Sequence, residues 1–288
     1  MSARSRIVSQ QKAWALAAGL PVIGPGYLGS VDANLRLPMS PRTLAAFQAE
    51  EAAELKDYPR FPAKLRALFS SAALVVNVFE HWAERDAAPL LAALGIAGTA
   101  QRIDFEARFP ISPEGTPPNV DLAIALGDGR RIGIESKFTE WHTPRRPAKI
   151  RFKDKYFPDG TKLWSSRGLP GCQILAEEIQ DGRTRYRFFY ATQLLKHALG
   201  MATQCAGGIG IYYLYYDWSG TAAREHRREI ERFTERVGAE LGFQSLSYQE
   251  LFQRLRQSAV AVDADYLAYL RARYFQDPEP IRGQAPGR

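Results

Sequence analysis

Three consecutive segments in the middle of the chain carry hydrophobic residues at every second position, and this limits the fold more than any other feature. In RIDFEARF, Ile103, Phe105, Ala107 and Phe109 alternate with Asp104, Glu106 and Arg108. In NVDLAIAL, Val120, Leu122, Ile124 and Leu126 fall on one face, opposite Asp121, Ala123 and Ala125. RIGIESKF sets Ile132, Ile134, Ser136 and Phe138 against Gly133, Glu135 and Lys137. A period of two is the signature of a strand. The Gly127–Gly129 turn between the last two predicts an antiparallel return. Each strand presents a carboxylate opposite its apolar face.

Helical spacing flanks this meander. Ser40-Pro41 is a helix start, with Ser as cap and Pro in the first turn, and that helix is expected to reach about Leu55. Pro62 is expected to open a second helix, to about Glu84, through Leu65, Leu68, Ala72, Val75, Val76 and Phe79. Asn77, Glu80, His81 and Glu84 would form its solvent strip. Beyond the meander, Ala191–Gln204 is predicted as a helix with Leu194, Leu195, Ala198 and Ala202 inward. IGIYYLYYD follows as a buried strand. Ala222–Leu241 is a charged amphipathic helix with one stripe of Ile230, Phe233, Val237 and Leu241. Ser247 and Glu250 form a capping box for another helix, and Asp265–Tyr274 makes the last.

The order gives an α/β fold with a mixed sheet. The expected layout is an arm and helix over 1–61, a core over 62–246 with an insertion at 142–190, helices over 247–275, and a flexible tail over 276–288. Residues 1–40 show no sustained period. Arg4, Arg6 and Lys12 precede AWALAAGL, but that stretch is short and runs into Pro21 and Pro25, so it reads as a cytoplasmic N-terminus rather than a leader. Two cysteines, Cys172 and Cys205, cannot build a disulfide framework and suit a reducing compartment. The longest apolar runs are too short for a membrane span.

Side chains two apart on a strand point the same way, so Glu135 and Lys137 are neighbours, and the hairpin brings Asp121 alongside them. Two carboxylates and an ammonium in one place suit Mg²⁺ or Mn²⁺, which take one or two carboxylates plus water and phosphate oxygens. For ESK alone, a salt bridge on an exposed strand edge is the simpler reading. Asp121 across the hairpin and the order of elements favour a metal site. Glu106, on the polar side of the first strand, is a further candidate metal carboxylate.

At PNVD (Pro118–Asp121), the hairpin and ESK (Glu135–Lys137), the sequence resembles the PD-(D/E)XK superfamily of restriction-endonuclease-like phosphodiesterases. That family's core is a helix, a three-stranded meander, a helix and a fourth strand, the order found here from Pro62 to Asp217, about half the chain. The resemblance implies that Asp121 and Glu135 ligate the metal and that Lys137 is the catalytic lysine. Some branches carry a Gln in a QxxxY pattern on the following helix. Gln193 matches that Gln and is carried over as a catalytic candidate, whereas His197 stands where Tyr would be. Asn119-Val120 separates Pro118 from Asp121, and Ser136 fills the variable position; neither change removes a ligand. Glu80 matches a helical Glu of some members, although a surface role is the simpler reading for it.

The net charge is +7, from 38 Lys plus Arg against 31 Asp plus Glu. His142–Arg167 alone carries +6, with Arg145, Arg146, Lys149, Arg151, Lys153 and Lys155 as the candidate nucleic-acid contacts. Phe152, Tyr156, Phe157 and Trp164 are interleaved, either to stack on bases or to anchor the loop. GPGYLG at Gly24–Gly29 fits GxGxxG but lacks the strand–turn–helix context of a dinucleotide site. The four histidines show no ligand spacing and are read as surface or cap residues.

The expectation is a Mg²⁺- or Mn²⁺-dependent phosphodiester hydrolase acting on nucleic acid, most simply a DNA nuclease. The alternatives are a nucleic-acid-binding protein with the same fold and no chemistry, or an α/β enzyme for a phosphorylated small molecule. The sequence leaves the oligomeric state open, a homodimer included.

Overall fold

The alternating segments form strands where expected, because each buries one face and the Gly127–Gly129 turn returns the chain on itself. The computed structural model describes residues 2–49, 54–112, 117–146 and 150–275. Helices α1 (Ala3–Ala17), α2 (Pro41–Ala49), α3 (Ser71–Phe79) and α4 (Ala88–Leu94) precede strands β1 (Ala100–Arg108), β2 (Asn119–Leu126) and β3 (Arg131–Lys137). Helices α5 (Pro170–Gln180) and α6 (Ala191–Gln204) lead to β4 (Ile209–Tyr215). Then come α7 (Thr221–Leu241), β5 (Gln244–Ser247), α8 (Tyr248–Arg256) and α9 (Ala264–Arg273). The sheet order is β1-β2-β3-β4-β5. The first two pairings are antiparallel and the last two parallel, so the sheet is mixed.

Helices cover both faces. One core cluster joins α3, α4, α8 and α9 to Ile103, Phe105, Leu122, Ile124, Leu126, Ile132, Ile134 and Phe138. The other joins α5, α6 and α7 to Val120, Ala123, Ile211, Tyr213 and Tyr215. The face that carries Glu135 and Lys137 is therefore roofed, and an exposed strand edge is ruled out. The capping box at Ser247 and Glu250 is present, and the stripe Ile230, Phe233, Val237 and Leu241 on α7 is buried.

Several local expectations are corrected. Val120 packs with the second cluster, not with Leu122 and Ile124. The β2–β3 register ends at Leu122 opposite Ile134, and beyond it the Asp121 side chain accepts from Ser136 N at 2.7 Å in place of a backbone carbonyl. Phe109 and Ala107 likewise turn to the second cluster, past Glu106, whose φ of +46° is rare for a residue with a side chain. Pro62 does not open a helix. Leu28 N bonds Arg66 O and Leu68 N bonds Gly26 O, so the N-terminal arm claims this segment, whose only helical piece is the 3-10 turn Lys64–Arg66, and α3 starts only after its Ser70 cap. The first predicted helix ends at Ala49; residues 50–53 lie outside the described residues, and Glu54 and Leu55 sit in a turn. The predicted tail at 276–288 also lies outside the described residues.

The expected solvent strip on α3 is largely interior. Asn77, Glu80 and His81 are buried, and only Glu84 is exposed. Asn77 donates to Asn34 O and to the Tyr274 hydroxyl, both at 3.0 Å. Glu80 accepts from Ser40 N at 2.6 Å and from the Thr43 hydroxyl at 2.8 Å, so it anchors the start of α2. His81 stacks on Tyr266.

The arm is regular after all. α1 buries Ile7, Gln11 and Ala15, a stripe one residue wide with a polar centre. Gln11 donates to Arg273 O at 2.7 Å. Arg273 in turn donates to Asn34 O and lies 4.2 Å over Trp14, joining both ends of the described chain.

Gly200 fixes the approach of α6 to the sheet. A Cβ there would collide with the Phe109 carbonyl and the Pro118 ring. Gly200→Ala is expected to cost roughly 1–3 kcal/mol, read as a lower denaturant midpoint. Gly29→Ala, facing open space, is the control expected to leave the midpoint in place. An unchanged midpoint for Gly200→Ala would mean that α6 can slide without cost.

Candidate active site

Asp121 sits where β2 parts from β3, and Glu135 and Lys137 project from the last turn of the β3 pleat under α6. Glu135 is 1% exposed and Lys137 7%. The Lys137 ammonium donates to Glu135 Oε1. Burial pushes the Glu135 carboxyl well above its usual range, and repulsion from Asp121 adds to this, with Lys137 in partial opposition. Burial likewise raises Asp121, against the pull of Lys137 and the Ser136 amide. Burial works against the Lys137 charge, but Glu135 and Asp121 hold it above its ordinary value. Two like charges thus converge on one cation in a nearly dry setting, which is costly unless a further cation shares it.

Three neighbours escaped the sequence reading. His197, on α6, is buried, and its Nδ1 lies 3.3 Å from Glu135 Oε2. Neither atom makes a hydrogen bond. Burial pushes the imidazole down to about 3, with Lys196 and Lys137 adding to the effect. The sequence points to surface or cap histidines; His81, His197 and His226 are instead buried. Glu140 follows β3 directly, accepts from Phe138 N at 2.8 Å and raises Asp121 and Glu135. Its signal was the second acid of ESKFTE. Tyr190 stands before α6, its ring centroid 4.7 Å from Lys137 Nζ and 4.5 Å from the Arg145 guanidinium.

Gln193 is half-buried, one turn before His197 on the same face of α6. Among the described residues its side chain has no hydrogen bond to Asp121, Glu135 or Lys137. Glu106 is half-buried on β1, between residues paired to Leu122 and Val120, hence level with Asp121. A cleft of about 570 Å³ carries Glu54 and Glu140, both felt by Asp121, together with Arg4, Lys64 and Thr139.

The basic segment folds over the same end of α6. Arg146, Arg151, Lys153 and Lys155 are exposed and Arg145 is half-buried; Lys149 lies outside the described residues. Arg145, Lys153 and Lys155 all act on the charge of Lys196, next to His197. The interleaved aromatics are anchors. Phe152, Tyr156 and Trp164 are buried and pack in one group with Phe157. Trp164 Nε1 donates to Leu195 O at 2.8 Å.

Against this geometry, a family model described as restriction endonuclease associating with ARP matches residues 29–275. The chain belongs to this restriction endonuclease family. Comparison with curated proteins and with solved structures gives no match. The match takes in every element from α2 to α9, and with them Asp121, Glu135 and Lys137.

The donor set of this family member fits a hard divalent ion. Glu135 Oε2 is buried with no hydrogen-bond partner, and burial raises both carboxylates despite the nearby Lys137 cation. Among the described residues, no group of three or more His, Cys, Asp or Glu side chains is placed to hold a metal. Two carboxylates would therefore be the protein's share, which suits Mg²⁺ with its reluctance to shed water.

Proposed function

We propose that the chain is a metal-dependent phosphodiester hydrolase of the PD-(D/E)XK type that cleaves DNA. The observation that carries this reading is the buried convergence of Asp121, Glu135 and Lys137 at the split between β2 and β3, with one carboxylate oxygen unpartnered. Asp121 and Glu135 would hold Mg²⁺ or Mn²⁺, which supplies an activated water and neutralises charge on the phosphoryl group. Lys137, fixed by Glu135 and lying against Tyr190, would donate to a phosphoryl oxygen as charge builds there. Glu135 orients that ammonium, and His197 closes the back of the site without adding charge. Gln193, on the same helix face as His197, would position the attacking water or the substrate strand. Glu106, level with Asp121, would bind metal-held water. The exposed cations Arg146, Arg151, Lys153 and Lys155 would neutralise backbone phosphates.

The test is a cleavage panel of plasmid, linear duplex, single-stranded DNA and RNA with Mg²⁺, Mn²⁺ or EDTA. Cleavage of DNA that EDTA stops is expected. Tight DNA binding with no product under any metal would replace the hydrolase by a binding protein of the same fold.

A further inference from the structure

A second concave site lies beside the first. It is a pocket of about 260 Å³, and every ionisable side chain lining it is an arginine: Arg145, Arg151, Arg185 and Arg187. The buried side chains Ile150 and Ile179 also line it. Among the described residues, Arg151, Arg185 and Arg187 make no ion pair, whereas Arg183, in the same turn but outside the pocket, is held by Asp181 at 3.0 Å. Like charges gathered in a concavity repel one another, and a bound anion removes that cost.

The walls are rigid. Glu229, 1% exposed, accepts from the amides of Arg187, Phe188 and Phe189 at 2.7, 2.8 and 2.8 Å. Arg145 N donates to Arg187 O at 2.7 Å, tying the two arginine-bearing segments together. The guanidinium groups therefore rise from fixed backbone, which suits bidentate recognition of phosphate oxygens. The volume falls below the roughly 300 Å³ of a small drug-sized site, enough for a phosphate with part of its sugar and too little for a duplex. Arg145 also links the pocket to the candidate active site, because it and Lys137 share the ring of Tyr190.

We propose that Arg145, Arg151, Arg185 and Arg187 form a phosphate pocket that grips a phosphate group of the substrate strand next to the one at Lys137. The proposal rests on the nuclease reading for the identity of the strand, and its test separates the two. Arg185→Ala/Arg187→Ala removes two exposed side chains and keeps the Glu229 and Arg145 backbone bonds; Arg183→Ala is the control. One probe is inorganic phosphate, read as protection from thermal unfolding at low ionic strength. The other is duplex DNA, titrated by anisotropy under Ca²⁺ over a salt series, with 5′-phosphate ends, with 5′-hydroxyl ends, or as a closed circle.

The double variant is expected to lose phosphate protection, to bind duplex at least about tenfold more weakly and to flatten the salt slope by up to roughly two units. The Arg183 variant is expected to follow wild type. A 5′-phosphate preference lost in the double variant assigns the pocket to a strand end, and equal loss on all three duplexes assigns it to an internal phosphate. If phosphate protects wild type but not the double variant while no nucleic acid binds, the pocket stands and the nuclease reading falls. The proposal is overturned if wild type responds to neither probe, or if the double variant matches wild type with both.

Discussion

Asp121→Asn is expected to make the metal-free protein more stable and, in the same change, catalytically dead. The stability gain follows from electrostatics. Asp121 and Glu135 are both raised chiefly by burial, and Asp121 adds to the cost of ionising Glu135; the uncharged Asn removes one buried charge and relieves Glu135. The Asn oxygen can still accept the Ser136 amide, so the split between β2 and β3 survives. The expected loss of function follows from the same pair, since under the proposed reading one carboxylate alone would no longer hold Mg²⁺. Wild type should gain about 2.7 kcal/mol at a hundredfold excess of ion over its dissociation constant, and the variant almost none. Lys137→Met should do the reverse in EDTA. It strands two carboxylates without their cation and lowers the melting temperature, while cleavage falls by two to three orders of magnitude, about the effect of losing one well-placed transition-state donor. Melting curves with and without Mg²⁺, beside cleavage rates, read all of this. An Asp121→Asn protein that melts below wild type in EDTA and still cleaves would remove the metal assignment.

Mild acid should destabilise the fold well before ordinary carboxylates are protonated. Burial lowers His81 to about 4, with the Arg85 and Arg36 cations adding to it, and lowers His226 to about 3, with help from His142 and Arg227. His142 is also lowered by burial, to about 4. The unfolded chain takes up protons at these imidazoles near pH 6.5, and the folded chain does so only at these lower values, so stability falls as pH drops from about 6.5 toward 4. Glu135 works in the opposite sense, because its raised carboxyl binds a proton in the folded state first. One pKa unit retained at each of His81 and His226 amounts to about 3 kcal/mol, or on the order of 10 °C in melting temperature. His81→Phe keeps the ring on Tyr266 and should remove its share of the slope. A melting temperature that stays level from pH 7 to pH 4.5 would contradict this account.

The meander and the three polar groups of the site were legible because a two-residue period fixes side-chain direction, and Gly127–Gly129 fixes the return. The α7 stripe and the apolar run of β4 were legible for the same kind of reason. His197 was not, since its role depends on how closely Gly200 lets α6 settle on the strands. Asn77, Glu80 and His81 look like a wetted helix face in sequence. They are interior because α2, α9 and the arm bring polar partners to them, and no local pattern encodes such partners. The α1 stripe was hidden by Gln11 at its centre. Arg185 and Arg187 were not legible because the pocket belongs to two segments distant in sequence, which bonds such as Arg145 N to Arg187 O bring together.

The bond network between Arg273, Asn34 and Gln11, with Tyr274 on Asn77, has a consequence for how the protein is made. Translation delivers Gln11, Asn34 and Asn77 well before their partners Arg273 and Tyr274, on and just after α9. Until Tyr274 clears the ribosome, Asn77 lacks part of its hydrogen bonding, and the first core cluster lacks one of its walls. A nascent chain that already contains Asp121, Glu135 and Lys137 therefore has the residues of the candidate site before it has the scaffold to aim them, and the proposed hydrolase would stay unarmed during its own synthesis.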